Sequence, residues 1–287
     1  MSFLKLFFYT SLAYRLTSGH GVLLEANGLR GSPTSSAYDM DTSIARDCRG
    51  INPCQQDTAI IREAEIKNKT VNQCGRTLLK GNIDVGRSIE DALASNAVTQ
   101  VDSGTTVMVK LHQVNSDGAG PYFCDLDESG NTNIGVRNLT VVNNVPGSHG
   151  LSQTEAKDFM MGVQMPSNFE CRGGSTGDIC TIRCRNAAEA GPFGGCVAVQ
   201  QINAAKKSPL PGDIKTANTL AEVDADMLKD QANFPGAVRA HDEGNTRDAL
   251  NNIASVNDIL SATAPLKVFP VETLMPQRPG GGSGGGA

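Results

Sequence analysis

Short apolar runs and alternating apolar and polar positions dominate the chain between residues 20 and 205. The clearest run, Thr105–Val114, is rich in β-branched residues and alternates, which predicts a strand with one buried side. Four further segments have a similar character, and clusters of Gly, Pro, Asn and Ser separate them. They are Ile134–Val142, Phe159–Met165, Ile179–Cys184 and Gly195–Gln201. The pattern predicts a mostly β fold, a β-sandwich rather than an α/β arrangement.

Helical patterns are few in this region and more frequent after it. Asp57–Ile66 and Ser88–Ala94 are predicted as short helices inserted between strands. Lys206–Asp213 contains prolines and predicts a linker. Beyond it, Leu220–Gln231 has a weak helical pattern, and Thr246–Ala262 repeats apolar residues at the spacing of an amphipathic helix.

The sequence therefore divides into four parts. Residues 1–19 are predicted to be a secretory signal peptide, since Lys5 precedes an apolar stretch and small residues stand at 17–19. The alternative for this segment is a buried N-terminal strand or helix. Residues 20–205 form the predicted sandwich, and 206–273 form an extension that is helical, disordered or packed on the sandwich. Residues 274–287 are a Gly/Ser-rich tail with the composition of a flexible linker.

Composition supports export and limits the choice of partners. Eight cysteines are typical of a disulfide framework outside the cytosol, and Asn68 and Asn138 begin glycosylation sequons. The net charge is −5 without a Lys/Arg cluster, so we expect no nucleic-acid partner. Beyond the N-terminus no apolar run approaches the roughly 18–20 residues of a membrane span. We expect a secreted, extracellular glycoprotein that is monomeric.

The cysteines are more easily explained as disulfides than as metal ligands. They are Cys48, Cys54, Cys74, Cys124, Cys171, Cys180, Cys184 and Cys196. Cys180 and Cys184 have a loosely metal-like spacing, but two residues cannot complete a tetrahedral zinc site. Residues four apart on a strand face the same side, so these two are not expected to bond to each other. The sequence leaves the pairing open.

The histidines suggest a copper site. Cleavage after Gly19 would make His20 the first residue, and an N-terminal histidine offers both its α-amine and its imidazole to a metal. One further imidazole gives a three-nitrogen site, which suits copper. His112, before a Gly-rich turn, is the leading candidate for that ligand, and His149 is its rival. His241 lies in the polar tail and is predicted to be a solvated surface residue.

Four stretches resemble a fungal family of secreted virulence-associated proteins, first noticed in germinating powdery mildew and in appressoria of rice-blast-type pathogens. They are HGVLLEANG from residue 20, KLHQVNSDGAGPY from residue 110, RCRN from residue 183 and GPFGGCVAVQQ from residue 191. The resemblance covers about residues 20–205.

That family in turn resembles lytic polysaccharide monooxygenases, copper enzymes with an immunoglobulin-like β-sandwich and two copper-binding histidines, the histidine brace. The resemblance implies that His20 and His112 form the brace around one copper ion. It also implies that Phe193, three residues before Cys196, occupies the axial position.

The chain departs from those enzymes in two respects. They commonly carry a histidine and a glutamine beside the copper. The matching stretch here, Arg183–Asn186 and Gly191, has neither. His149 and Gln200 are the candidates that could replace them. The chain also has no Trp, and only Tyr38 and Tyr122 remain after the signal. Crystalline cellulose, which is gripped by exposed Tyr or Trp faces, therefore fits poorly.

Two functions remain open at this stage. The first is a secreted copper protein that acts in host penetration or cell-wall remodelling, by oxidative cleavage of a non-crystalline cell-wall or host-matrix glycan. The alternative is a non-catalytic secreted effector or adhesion module on the same sandwich, so enzymatic activity is left open. A hydrolase using Asp125 and Asp127 is a weaker third, since capping a turn explains that acidic pair equally well.

Overall fold

Alternating and continuous apolar runs fold into extended strands that pair side by side. The computed structural model describes residues 21–46, 56–114, 116–132, 136–153, 156–189, 191–203 and 228. Within these ranges the strands are β1 Gly21–Asn27, β2 Ser35–Ser36, β3 Ala59–Ile60, β4 Arg76–Thr77, β5 Gly81–Asn82, β6 Thr99–Val101, β7 Thr106–Gln113, β8 Phe123–Asp127, β9 Arg137–Val142, β10 Lys157–Gln164, β11 Ile179–Arg185 and β12 Phe193–Gln201. The helices are α1 Glu63–Lys67, α2 Val85–Ala94 and a 3-10 turn at Ser116–Gly118.

The strands form two layers that are joined through β9. One layer has the order β2–β1–β7–β10, and the other has the order β8–β11–β12–β3–β4–β5. Strand β9 pairs with β10 along one part of its length and with β8 along another, so the sheet is continuous from one layer to the other. The pairings are antiparallel, except that β6 runs parallel to β12.

Two apolar cores lie on opposite faces of the β11–β12 pair. The main core lies between the layers and includes Leu23, Val109, Leu111, Met161, Leu126, Ile182, Val197 and Val199. The second core is covered by the segment that carries α2, and includes Tyr38, Ile61, Ile83, Ile89, Ile179 and Ala198. Burial on both faces explains why β11 and β12 have nearly continuous apolar sequences rather than alternating ones.

The mostly β sandwich with short helices is confirmed, and five strands lie close to their predicted positions. The predicted helix over Asp57–Ile66 is wrong in its first half, because Ala59–Ile60 is strand β3 and only Glu63–Lys67 is helical. Ile60 pairs with Phe193 at the end of β12 and is buried, so tertiary pairing decides the local structure. The predicted signal peptide, the extension 206–273 and the tail 274–287 lie outside the described residues, apart from Leu228.

The predicted disulfides are confirmed for six of the cysteines. The bonds are Cys74–Cys196, Cys124–Cys184 and Cys171–Cys180. Cys180 and Cys184 thus bond to different partners, as expected for two residues on one side of a strand. Cys48 and Cys54 lie outside the described residues.

The acidic pair on β8 is structural. Asp125 lies directly opposite Arg183 in the β8–β11 register, and the guanidinium donates to both carboxylate oxygens, with Nη2 2.6 Å from Oδ2. Asp127 accepts the backbone N–H of Ser129 at 2.9 Å and so caps the turn after β8. The hydrolase hypothesis is not supported, because Asp125 is bound to a buried arginine and Asp127 caps a turn.

Replacing Asp125 by alanine is expected to lower the free energy of unfolding by about 3–5 kcal/mol, since it leaves a buried arginine without its counter-charge. The side chains of Arg183 and Asp125 are only 9% and 14% exposed. Urea unfolding measures the loss. The matched control is Glu170→Ala, which breaks the exposed pair with Arg172 and should cost less than about 1 kcal/mol. Equal losses for the two variants would contradict this account.

Candidate metal centre

The candidate site lies on three neighbouring strands that bring distant residues into one row. In the β1–β7 register Val22 lies opposite His112, and in the β7–β10 register His112 lies opposite Asp158. Paired residues on adjacent strands project from the same face of the sheet. The three side chains therefore share one face, at the end of the sandwich where β1 begins.

His112 is held through one ring nitrogen and leaves the other unpartnered. Its Nδ1 lies 2.6 Å from Oδ1 of Asp158. Because an ionised carboxylate only accepts hydrogen bonds, the Asp158 contact places a proton on Nδ1, so the uncharged form of the ring has its lone pair at Nε2. The imidazole is 6% exposed, and its Nε2 is buried with no hydrogen-bond partner. A buried nitrogen lone pair of this kind can serve as a ligand of a transition metal. The residue is more enclosed than its place at the end of a strand suggested.

Asp158 remains ionised in this arrangement. Partial burial raises the pKa of its carboxyl, but hydrogen bonds from His112 and Lys110 outweigh that effect and lower the pKa below the ordinary value for aspartate. The ammonium of Lys110 lies 3.2 Å from Oδ2. The carboxylate thus keeps its negative charge and fixes the orientation of the imidazole. Sequence reasoning missed Asp158, because only the strand register brings it opposite His112.

The start of β1 is packed tightly against the Gly-rich turn. A Cβ atom on Gly21 would lie 2.0 Å from the hydroxyl oxygen of Tyr122 and 2.7 Å from the carbonyl oxygen of Gly118. That hydroxyl donates to the same carbonyl at 3.0 Å, and burial raises the pKa of Tyr122, which keeps the phenol neutral. Only glycine allows this approach, so position 21 fixes where the chain enters the sandwich.

Asn186 ties that turn to the first residues of β12. Its side-chain Nδ2 donates to the carbonyl oxygens of Asp117 and Ala119 at 2.8 and 3.0 Å. Its Oδ1 accepts the backbone N–H of Phe193 at 2.9 Å. Asn186 is 2% exposed, so these bonds are shielded from water. The sequence placed it in a family-like stretch but gave no sign of this role.

Phe193, the residue expected at the axial position, lies at the same end of the sandwich. Gly195, two residues later on the same face of β12, lies against Leu23 of β1. The side chain of Phe193 is fully buried and packs with Ile60 and Ala188.

The two residues considered as substitutes for the second histidine and the glutamine lie in different parts of the fold. His149 is exposed in a turn with a φ of 52°, and its Nδ1 lies 3.1 Å from the hydroxyl of Ser148. Gln200 lies toward the opposite end of β12 from Phe193, where its amide donates to Asp178. The structure therefore does not bring Gln200 to the site. His20 and His241 lie outside the described residues.

The described residues hold only part of the predicted donor set. Among them, no group of three or more His, Cys, Asp or Glu side chains converges in a metal-binding arrangement. His112 supplies one imidazole nitrogen, whose free lone pair and fixed tautomer suit copper. The chain leads from this point toward His20, since Gly21 pairs with Gln113, the neighbour of His112. The assignments of His20, His112 and Phe193 remain predictions.

The described part of the chain is a mostly β protein stabilised by disulfides. Comparison with known sequences identifies its family. The sequence profile of the Egh16-like virulence factor family matches residues 18–194. The chain belongs to this family. The family expectation raised by the four motif stretches is thereby confirmed.

Two relatives from Pyricularia oryzae are similar over most of the domain. The appressoria-specific virulence factor GAS1 is 33% identical over 205 residues, which cover 70% of this chain and 79% of the relative. The appressoria-specific virulence factor GAS2 is 31% identical, with 66% of this chain and 85% of the relative covered. No helix in the described residues is long and apolar enough to cross a membrane.

Replacing Gly21 by alanine should force the start of β1 away from the turn and lower the melting temperature. The nearest atom to the new methyl group is the hydroxyl oxygen of Tyr122. The double variant Gly21→Ala/Tyr122→Phe should therefore lose less stability than the sum of the single variants. Calorimetry of the four proteins measures this coupling. Strict additivity would show that the close approach is not what requires glycine.

Replacing Asn186 by alanine should lower the free energy of unfolding by about 2–4 kcal/mol, because several buried backbone groups lose their partners together. Denaturant unfolding measures the effect. The control is Asn203→Ala, whose exposed side chain donates to Asp102. This control should change stability by no more than about 0.5 kcal/mol. A small loss for Asn186→Ala would mean that water replaces these bonds.

Proposed function

We propose that the chain is a secreted copper protein that acts in host penetration or cell-wall remodelling. Its mature form starts at His20 and binds one copper ion through His20 and His112. The observation that carries the proposal is the imidazole of His112, whose Nε2 is buried and unpartnered while Nδ1 is fixed by Asp158. Such a nitrogen is costly to bury unless a ligand or a metal satisfies it.

The strand register supports His20 as the companion ligand. Gly21 pairs with Gln113, and consecutive Cα atoms are about 3.8 Å apart, so the chain can bring its first residue beside His112. Export supports the same assignment, because removal of residues 1–19 frees the α-amine. The disulfides Cys74–Cys196, Cys124–Cys184 and Cys171–Cys180 suit an oxidising compartment.

The residues around His112 have structural roles that do not require a bound metal. Asp158 holds the proton at Nδ1 and aims Nε2, and Gly21 against Tyr122 fixes the entry of the chain. Asn186 holds the turn beside the start of β12, where Phe193 excludes water. Bound copper would supply one-electron redox chemistry toward oxygen or peroxide.

Two observations support the class of partner that we propose. Tyr38 and Tyr122 are both buried, so neither offers a flat face to a crystalline polysaccharide. A non-crystalline cell-wall or host-matrix glycan is the partner that we propose. The names of GAS1 and GAS2 describe appressoria-specific virulence factors, which supports a role during host penetration.

Copper binding is tested by electron paramagnetic resonance on natively secreted protein. We expect a tight type 2 Cu(II) signal that is lost in His112→Ala and retained in His149→Ala, the matched surface histidine. Asp158→Asn should weaken binding about 10–100-fold, because the imidazole loses the partner that orients it. An alanine inserted before His20 should abolish the signal, since the α-amine then belongs to another residue.

Intact mass gives an independent check, because the secreted protein should begin at His20. A tight signal that survives His112→Ala, or a mature chain that begins elsewhere, would overturn the proposed ligand set. Incubation with copper, a reductant and peroxide then tests for oxidised oligosaccharides from matrix glycans. Copper binding without any such product would favour the non-catalytic effector or adhesion module.

A further inference from the structure

Phe123 is the most exposed aromatic side chain among the residues that the structure describes, where Phe159 is partly buried and the other rings lie inside. It is 60% exposed, whereas Tyr38, Tyr122, Phe169 and Phe193 are at most 8% exposed. It is the first residue of β8, and it lies opposite Arg185 of β11. The ring lies on a strand that has neighbours on both sides, rather than in a loop, and so offers a fixed surface to an apolar partner.

The neighbouring strand places a glycosylation sequon beside this ring. In the β8–β9 register Cys124 lies opposite Leu139 and Asp125 opposite Asn138. Because Cys124 faces the core, its neighbours on β8, Phe123 and Asp125, project from the opposite, outer face. Leu139 faces the core, while Asn138 and Thr140 on either side of it are exposed. The two polar residues of the sequon therefore project from the same face as Phe123.

The spacing lets a sugar on Asn138 reach the ring. Asn138 and Phe123 are diagonal neighbours on one face, and such pairs lie about 7–8 Å apart. Asp125, directly opposite Asn138, is bound by Arg183 and turned toward it. Asn138 and Phe123 are both exposed, so both are accessible to a group attached to Asn138.

We propose that Asn138 carries an N-linked glycan whose first N-acetylglucosamine packs against the ring of Phe123. One face of this sugar carries mainly C–H groups, which pack on an aromatic face and remove apolar surface from water. The glycan is then a structural part of the β8–β9 face rather than a freely moving chain. The proposal rests on the proposed export, because only a chain in the secretory pathway receives this modification.

The second sequon provides an internal contrast. Asn68 is also exposed, but it is the C-cap of α1, and its neighbours in the sequence are Lys67 and Lys69. The exposed large apolar side chains among the described residues are Phe123, Met160, Ile202 and Leu228, and Asn68 is not in a strand whose register brings one of them beside it. A glycan on Asn68 should therefore contribute little to stability.

The experiment is a double-mutant cycle on the full chain secreted from yeast. Thr140→Ala removes the sequon, while Thr140→Ser changes the same residue and retains it. Each Thr140 variant is made both with Phe123 and with Phe123→Ser. Peptide mass measures the glycan occupancy of Asn138, and calorimetry measures the melting temperature. With Phe123 present, Thr140→Ala should lower the melting temperature by about 2–4 °C relative to Thr140→Ser. With Phe123→Ser this difference should fall below about 1 °C.

Trimming the glycan to a single N-acetylglucosamine should leave the melting temperature unchanged, because the first sugar makes the contact. Thr70→Ala, which removes the Asn68 sequon, serves as the control and should shift the melting temperature by less than about 1 °C. An occupied Asn138 whose effect is the same with and without Phe123 would overturn the proposal. An unoccupied Asn138 beside an occupied Asn68 would overturn it as well.

To separate a failure of export from a failure of the glycan contact, residues 20–287 are expressed once with their own residues 1–19 and once with a yeast signal peptide instead. Secretion only with the yeast signal would refute the proposed export. The glycan contact would still be decided by the double-mutant cycle in that protein.

Discussion

The antiparallel register of β1, β7 and β10 is the constraint on which the candidate site depends. It aligns Val22, His112 and Asp158 across three strands, although Val22 and Asp158 are far apart in the sequence. A slip of one residue would turn His112 toward the core and expose Leu111. The apolar residues Val109 and Leu111 prevent that slip, because they are fully buried between the layers.

The second layer supports this arrangement from behind. Strands β11 and β12 are covered on both faces and are linked to neighbouring segments by disulfides. Asn186, at the end of β11, transmits this rigidity to the Gly-rich turn and the start of β12 through its side chain. A metal ligand needs such support, since its geometry is only as exact as the groups that hold it.

Two kinds of side chain stand out in this fold: buried polar groups and an exposed aromatic ring. Asn186 and the Arg183–Asp125 pair are buried polar groups whose side chains have partners in the fold. His112 differs, because one of its two nitrogens is satisfied and the other is not. Among the described aromatic rings Phe123 is the most exposed, while Phe159 is partly buried and the others lie inside. The proposed copper ligand is His112, and the proposed glycan contact is at Phe123.

The sequence by itself determined the mostly β class, the positions of the long strands, the preference for disulfides and membership of the family. These depend on local alternation, on composition and on motif residues that are contiguous in the chain. It predicted His112 as a ligand from its place beside the Gly-rich turn, and it could not identify Asp158, Asn186 or the exposure of Phe123. It also assigned a helix where Ile60 forms a strand, because the pairing of Ile60 with Phe193 bridges more than a hundred residues. Only the tertiary structure decided these points, since strand register and burial arise from contacts between segments that carry no mark of each other in the sequence.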